Sequence, residues 1–182
     1  MHGVFFHFLK EYMQEKYGGK ESWDSLLLAN GYAYKVYFTI KEYPDEEFNA
    51  LINMASRLLD IPSDHLIRDY GEFMVPHMLV FYATYLKDKS WRSLELIENV
   101  GTSIHHTVKR RNPDTRPPEM ITERISRDQI VLRYRSERKL CVLLSGMIHG
   151  VGNHFGEHLE IREHDCMLNG ASECRFEIWR RT

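Results

Sequence analysis

Three side chains suited to binding an anion alternate along the short segment 134–138. Tyr134, Ser136 and Arg138 stand at every second position, so they share one face if the segment is a β-strand. A guanidinium grips a carboxylate through two parallel charge-assisted hydrogen bonds, and a phenol and a hydroxyl each add a neutral donor. The pattern predicts a socket for carboxylates, although a solvated polar strand face would give the same pattern.

A histidine falls inside an apolar helical stripe upstream of this segment. The stripe repeats every three or four residues and consists of Leu94, Ile97, Gly101, Ile104 and Val108. His105 lies within the stripe, whereas His106 is rotated about 100° further around the helix and toward solvent. A buried neutral histidine bonded to a carbonyl is one interpretation. Haem is another, because it needs an imidazole for its iron and hydrogen-bond donors for its propionates.

Three cysteines, an odd number, argue against a secreted disulfide framework and for thiol or metal chemistry in a reducing compartment. Cys166 and Cys174 flank a predicted turn at 169–170, and His164 stands two residues before the first of them. Cys141 lies far away in the sequence. Three thiolates and an imidazole suit tetrahedral zinc, while buried or redox-active thiols would also account for this spacing.

The composition limits the classes of function. Of 182 residues, 43% are hydrophobic, which is enough for one domain with a substantial core. The 24 basic and 26 acidic side chains nearly cancel, so neither nucleic acid nor an anionic membrane is an expected partner. With no export signal and no membrane-spanning apolar segment, a soluble cytoplasmic protein is predicted. No catalytic motif with recognisable spacing is present, so we do not expect an enzyme.

Hydrophobic periodicity predicts a helical first half and a mixed second half. The predicted helices cover 4–17, 23–28, 44–61 and, interrupted by a turn at 88–90, 63–112. After the prolines at 117–118 the predicted elements are strands at 121–125 and 130–135, a helix at 140–155 and a hairpin of 159–166 and 173–179. This order predicts an α+β domain with an antiparallel sheet.

Together these motifs resemble the haem nitric oxide/oxygen binding (H-NOX) family, bacterial gas sensors related to the haem region of soluble guanylate cyclase. The resemblance covers essentially the whole chain. It rests on the Y-x-S-x-R segment, the H-x-x-V motif of His105, Gly3, the segment 69–73, the prolines at 117–118 and the segment 146–150. It implies an α+β fold in which a helical subdomain (1–62) packs on a haem-ligating and sheet subdomain (63–182), with haem b held between them.

The resemblance also implies roles for individual residues. His105 matches the proximal iron ligand, and Tyr134, Ser136 and Arg138 match the clamp that binds the propionates. Pro118 matches a proline that presses against the porphyrin and keeps it bent.

Three further positions describe the rest of the expected pocket. Phe5 matches an apolar contact to haem from the first helix, and Met74 is expected in the apolar distal wall, although ordinary core packing would also explain it. Leu143 stands where oxygen-binding members carry a tyrosine. Because leucine cannot donate a hydrogen bond to bound oxygen, nitric oxide is the expected ligand.

In this family nitric oxide breaks the bond between the iron and its histidine, which leaves five-coordinate iron. Here that would free the helix of His105 and let the haem relax against Phe5 and Pro118, so that the two halves of the domain shift. Family partners are histidine kinases or cyclic-di-GMP enzymes. No fused output domain is visible, so action in trans is expected.

A subset of the family binds zinc through a similar C-terminal hairpin. The resemblance therefore implies zinc at Cys141, His164, Cys166 and Cys174. That subset usually carries its histidine three residues before the first hairpin cysteine, and in this chain Glu163 has that place.

Two alternatives to a haem sensor stay open. One is a haem-free small-molecule module of the related 4-vinyl-reductase type, which shares a cysteine hairpin. The other is a thiol or zinc redox sensor. The first would leave His105 and the clamp unexplained, and in the second haem would be secondary.

Overall fold

Helices make up most of the first two thirds of the chain. The computed structural model describes residues 1–86, 88, 90–111 and 115–181. The helices are α1 (Gly3–Lys16), α2 (Lys20–Ala29), α3 (Asp45–Leu59), α4 (Ser63–Phe81), α5 (Ser93–Val100), α6 (His106–Arg111) and α7 (Cys141–Phe155). The predicted turn at 88–90 and helix end at 112 include residues outside the described ranges. Among the described residues, no helix is long and apolar enough to cross a membrane.

Four antiparallel strands form one sheet in the order β1-β2-β4-β3. The strands are β1 (Glu119–Ser126), β2 (Gln129–Arg135), β3 (His158–Asp165) and β4 (Cys174–Arg181). Because α7 separates the first strand pair from the second, the predicted order and the α+β class are confirmed. The pairing of β3 with β4 shifts between Glu163 and Asp165, which leaves His164 as the extra residue of a β-bulge.

The first hydrophobic core lies among α1, α2, α3 and α4. Helix α3 shows why these segments are helical. Its buried residues Phe48, Leu51, Ile52 and Ala55 recur at helical spacing, and its first turn carries three acidic residues at the positive end of the helix dipole. Asp60, in the left-handed conformation, ends the helix.

The second core covers one face of the sheet. Side chains alternate along β2 and β4, so Ile130, Leu132 and Tyr134 of one strand and Phe176 and Ile178 of the other point to the same side. They pack with residues of α5 and α7. The sheet therefore serves as a base for these two helices.

Helices α4 and α7 approach each other so closely that only glycine fits between them. A Cβ on Gly146 would lie 2.0 Å from the carbonyl oxygen of Arg68, and a Cβ on Gly71 would lie 2.5 Å from that of Leu143. Glycine inside a helix costs up to about 1 kcal/mol relative to alanine. The close backbone contact between the two helices offsets that cost.

Candidate functional site

A cavity lies between the two cores, enclosed by α1, α4, the α5–α6 segment, α7 and the sheet. Its apolar lining comes from Phe5, Val75, Met78, Leu96, Ile97, Ile104, Met120, Leu143, Leu144, Met147 and Ile148. Polar residues line it in several places, and two of these were predicted from the sequence. One is His105 on the helical side, and the other is the group of Tyr134, Ser136 and Arg138 at the end of β2.

His105 occupies the last position of a π-helical turn. Helices α5 and α6 are continuous through this turn, Gly101–His105, and such turns are frequent at functional sites. Burial lowers the pKa of His105 to about 4, so its imidazole is neutral and keeps a lone pair for a metal ion. Its Nδ1 is buried without a hydrogen-bond partner among the described residues. The carbonyl bond expected of an ordinary core histidine is therefore not made by this atom, and His106 is exposed, as predicted.

Tyr134, Ser136 and Arg138 meet at the opposite edge of the cavity. The Tyr134 hydroxyl is hydrogen-bonded to the Ser136 side chain and to the backbone of Leu140. Burial raises the pKa of Tyr134 to about 12 despite these bonds, so the phenol stays protonated and can donate. The backbone N–H of Arg138 donates to the Ser136 hydroxyl at 3.3 Å. The three predicted clamp residues are thus brought together as one polar group.

The Arg138 guanidinium is held in place by two further acceptors. Its Nε donates to Oδ1 of Asp45 at 2.8 Å, and its Nη1 donates to the carbonyl of Arg116 at 2.6 Å. Burial raises the pKa of the Asp45 carboxyl, but the bonds from Arg138 and the Met1 ammonium outweigh burial and hold the pKa below its usual value. The guanidinium has other N–H groups with which to bind a carboxylate in the cavity.

Of the four apolar residues expected to contact haem, three line the cavity and one does not. Phe5, Pro118 and Leu143 line the cavity. Met74 does not line it in the described structure, because it is fully buried in the first core. Val75 and its neighbours one turn on face the cavity instead, and adjacent helical positions are rotated by about 100°.

The three cysteines converge behind the clamp, although they are far apart in sequence. Sγ of Cys141 lies 3.6 Å from Sγ of Cys166, which lies 4.0 Å from Sγ of Cys174. All three are buried free thiols. Cys174 pairs across the sheet with Tyr134, so the thiol cluster adjoins the polar edge of the cavity. A carboxylate oxygen of Glu163 completes a group of four ligand atoms, all within 4.8 Å of one another.

His164 is not part of this cluster, contrary to the expectation from the hairpin. Its Nε2 lies 2.7 Å from Oε2 of Glu177 on the outer face of the sheet. Regular alternation would place residues 164 and 166 on the same face, but the bulge at His164 shifts the pattern. As a result Glu163, rather than His164, falls on the same side as Cys166.

The cavity fits haem by the chemistry of its lining. A flat apolar ring requires apolar walls, its iron requires a neutral imidazole, and its propionates require donors at one edge. The neutral, buried imidazole of His105 and the polar group around Arg138 meet the last two of these needs. Fold and site together define a haem-binding protein.

The comparisons identify the family. The Haem-NO-binding family matches residues 2–163, and the chain belongs to this family. It is therefore a haem-based gas sensor and not an enzyme, as predicted. No curated protein matches the chain.

Solved H-NOX structures share the fold over their whole length. An H-NOX protein from S. oneidensis in the Fe(II)NO state has a TM-score of 0.91 and 24% identity, with 100% of both chains covered. An unliganded Fe(II) mutant from K. algicida has a TM-score of 0.81 and 23% identity, covering 100% of this chain and 97% of that one. An oxygen-binding H-NOX domain related to soluble guanylate cyclases, in its oxygen complex, has a TM-score of 0.86 and 18% identity, covering 100% and 96%.

Two site residues escaped the sequence analysis. Asp45 stands 93 positions before Arg138, and the only signal it gives is that of an acidic residue in a first helical turn. The sequence analysis noted Glu163 only as the residue in the place expected for a histidine, and the β-bulge that turns its side chain toward the thiols has no sequence signature.

Glu157 fixes the start of the helix that carries His105. Its carboxylate accepts hydrogen bonds from the backbone N–H of Ser93 (3.2 Å), the Ser93 hydroxyl and Nε of Arg92 (3.0 Å), and Arg180 lies 3.6 Å away. Burial raises the pKa of Glu157, but the bonds from Ser93 and Arg92 outweigh burial and hold it below its usual value.

Replacing Glu157 with glutamine should lower the free energy of unfolding by roughly 1–3 kcal/mol, the range for a lost hydrogen bond to a charged group. In the wild type, the contribution of the Glu157 carboxylate to the free energy of unfolding should be fully present above the unfolded-state pKa of about 4.3. It should vanish as the pH falls through the lower folded-state pKa, because the carboxylate is then protonated. Urea unfolding at a series of pH values measures this. The exposed Glu160, paired with Arg181, supplies a Glu160→Gln control with little change, and a gap between Glu157→Gln and wild type that persists in acid would contradict the assignment.

Proposed function

We propose that the protein is a nitric oxide sensor that regulates a separate signalling protein through release of His105. One observation carries the proposal: a neutral imidazole with an unpartnered Nδ1 and an arginine-centred anion site share one apolar cavity, with Leu143 in its wall. When bound, haem supplies ferrous iron that takes up a diatomic gas.

The proposed roles follow from the chemistry of each side chain. His105 would bind the haem iron, because burial keeps its imidazole neutral. Arg138 binds a propionate through N–H groups not used by Asp45 or Arg116, and the Tyr134 and Ser136 hydroxyls add neutral donors. Together these contacts would hold the ring at its centre and at one edge.

The wall around Leu143 supports nitric oxide as the ligand. Leu143, Leu144, Met147 and Ile148 contribute apolar side chains from α7, and none of them can donate a hydrogen bond to an oxygen complex. Tyr82 also lines the cavity, and burial raises its pKa to about 12. The charged residue that interacts with Tyr82 is Glu42. We therefore assign the Tyr82 hydroxyl to the rim of the cavity, where Glu42 lies.

Release of His105 offers a route to the surface. Its π-helical turn is continuous with α5 and α6, and the start of α5 is fixed by Glu157. Phe5 on α1 and Pro118 before β1 line the cavity from opposite layers. A change at the cavity centre would therefore act on both layers. The partner that recognises this change would be a histidine kinase or a cyclic-di-GMP enzyme.

We further propose that the thiol cluster binds zinc. Zinc–sulfur bonds of about 2.3 Å in a tetrahedron place sulfurs about 3.8 Å apart, and the measured separations of 3.6 and 4.0 Å lie on either side of that value. Burial and the neighbouring thiols raise the pKa of Cys141, and burial raises that of Cys174. A divalent cation would reverse these shifts by favouring thiolates. Glu163 takes the fourth position in place of His164.

A haem reconstitution experiment tests the main proposal. The purified protein should bind haem and show a strong Soret band, and the ferrous form should change its spectrum with nitric oxide. His105→Gly should lose the native axial signature and regain it with added imidazole, whereas the exposed His106→Gly should behave as wild type. A colourless protein that cannot be reconstituted would favour a haem-free small-molecule or thiol sensor.

Leu143→Tyr should create an oxygen complex that the wild type lacks, because it adds a phenol donor to the cavity wall. Leu143→Phe is the matched control, since it adds the ring without the hydroxyl. Ferrous spectra recorded in air and under nitrogen measure the difference. If wild type itself binds oxygen and Tyr82→Phe abolishes that binding, nitric oxide selectivity is wrong and Tyr82 is the donor.

Zinc content per chain, measured by elemental analysis, tests the thiol site. We expect about one equivalent in wild type, its loss in Cys174→Ser, and a 10- to 100-fold weaker affinity in Glu163→Gln, typical of a disturbed metal site. His164→Gln should retain zinc. Retention in Glu163→Gln together with loss in His164→Gln would restore the ligand set expected from the hairpin pattern.

A further inference from the structure

Two histidines and a glutamate meet where α1 packs against α4, away from the cavity and the thiol cluster. His7 and Glu11 are one helical turn apart on α1, and His77 comes from α4. Nε2 of His7 lies 3.3 Å from Oε1 of Glu11, and Nδ1 of His77 lies 3.6 Å from Oε2. We propose that these three side chains form a binding site for a divalent transition-metal ion that cross-links α1 to α4.

An unpartnered oxygen of the Glu11 carboxylate indicates that a cation binds here. Its Oε2 is buried and has no hydrogen-bond partner among the described residues. The imidazole of His77 approaches this oxygen only to 3.6 Å, beyond the distance of a good hydrogen bond. The Glu11 side chain as a whole is 34% exposed, so Oε2 is its one oxygen without solvent or a hydrogen bond, and a bound cation would supply the missing interaction.

The two imidazoles flank the Glu11 carboxylate, close enough that side-chain rotation would bring all three groups to one ion. Zinc bonds of about 2.0–2.2 Å to nitrogen and oxygen place neighbouring tetrahedral ligand atoms about 3.3 Å apart. The separations of 3.3 and 3.6 Å are near this value, whereas a direct N–H···O bond is about 2.9 Å long. The two imidazoles face different oxygens of Glu11, so the site closes by a side-chain rotation. The exposed fractions of 42% for His7 and 32% for His77 leave room for that rotation and for the ion to enter.

The ligand types select the class of ion. Two imidazoles and one carboxylate suit zinc, nickel, cobalt or ferrous iron, while calcium and magnesium prefer all-oxygen sites. The His77 ring packs 4.7 Å from the Phe73 ring and 5.7 Å from the Phe8 ring, centroid to centroid. These aromatic neighbours hold one imidazole beside the carboxylate, which lowers the entropy lost on binding.

An ion at this site would restrain the wall of the cavity. Phe5 lies two residues before His7 on α1, and Met78 directly follows His77 on α4, and both line the cavity. An ion that links His7 to His77 therefore fixes the two helices beside these contacts. The site itself uses neither His105 nor a cysteine. Binding of an ion here can therefore be tested independently of haem and of the thiol cluster.

Nickel titration of the intact 182-residue chain tests the site. One equivalent of zinc is added first for the thiol cluster, and Ni²⁺ binding is then followed by isothermal titration calorimetry. We expect one nickel ion per chain, a loss of at least tenfold in affinity in each of His7→Ala, Glu11→Gln and His77→Ala, and a nickel-dependent rise in Tm only where the site is intact. His65→Ala, an exposed histidine on the same helix α4, is the matched control and should bind as wild type.

Binding that is absent in wild type, or undiminished in His7→Ala and His77→Ala, would overturn the proposal. Cys174→Ser must retain the nickel site, since a loss there would assign the ion to the thiols instead. Far-UV circular dichroism checks that each variant is folded. If Glu11→Gln does not fold, the partly exposed His7→Ala decides the outcome by itself.

Discussion

The backbone contact between α4 and α7 is the constraint on which the other features depend. Gly146 lets the carbonyl of Arg68 approach to a distance that a side chain would forbid, and Gly71 does the same for the carbonyl of Leu143. With the helices locked at this separation, α7 presents Leu143 to the cavity and Cys141 to the hairpin. The wall of the cavity and one ligand of the thiol cluster are thus positioned by the same glycine contact.

The polar edge of the cavity joins the helical layer to the sheet layer. Arg138 follows β2, whereas Asp45 begins α3, and their ion pair spans the two cores. The guanidinium is only 18% exposed, so removing Asp45 would leave a poorly solvated charge. The same arginine therefore has two tasks: it fixes the layers relative to each other and it presents donors to the cavity. An anion bound in the cavity would share the Arg138 guanidinium with the carboxylate of Asp45.

Much of the fold and the centre of the site were predictable from the sequence, because they depend on local periodicity. The position of His105 within an apolar stripe and the alternation of Tyr134, Ser136 and Arg138 follow from 3.6- and 2-residue repeats. The position of Met74 away from the cavity was not predictable, because a helix that contacts two cores is apolar on several sides and periodicity does not choose which side faces the cavity.

Other positions depend on geometry that the sequence does not encode. His164 lies apart from the thiols because one bulge changes which face each residue occupies. The bond from Asp45 to Arg138 depends on packing between distant segments, which no local pattern encodes.

Helix α4 belongs to both hydrophobic cores. Leu66, Tyr70 and Met74 are buried in the first core, and Val75, the next residue, is buried in the second. Neither core can lose its packing without exposing part of this shared helix. That exposure raises the free energy of any partly unfolded form. The two subdomains should therefore open as one cooperative unit in native-state hydrogen exchange, with the slowest amides in the middle of α4. A sensor built in this way can shift one layer against the other without either layer melting.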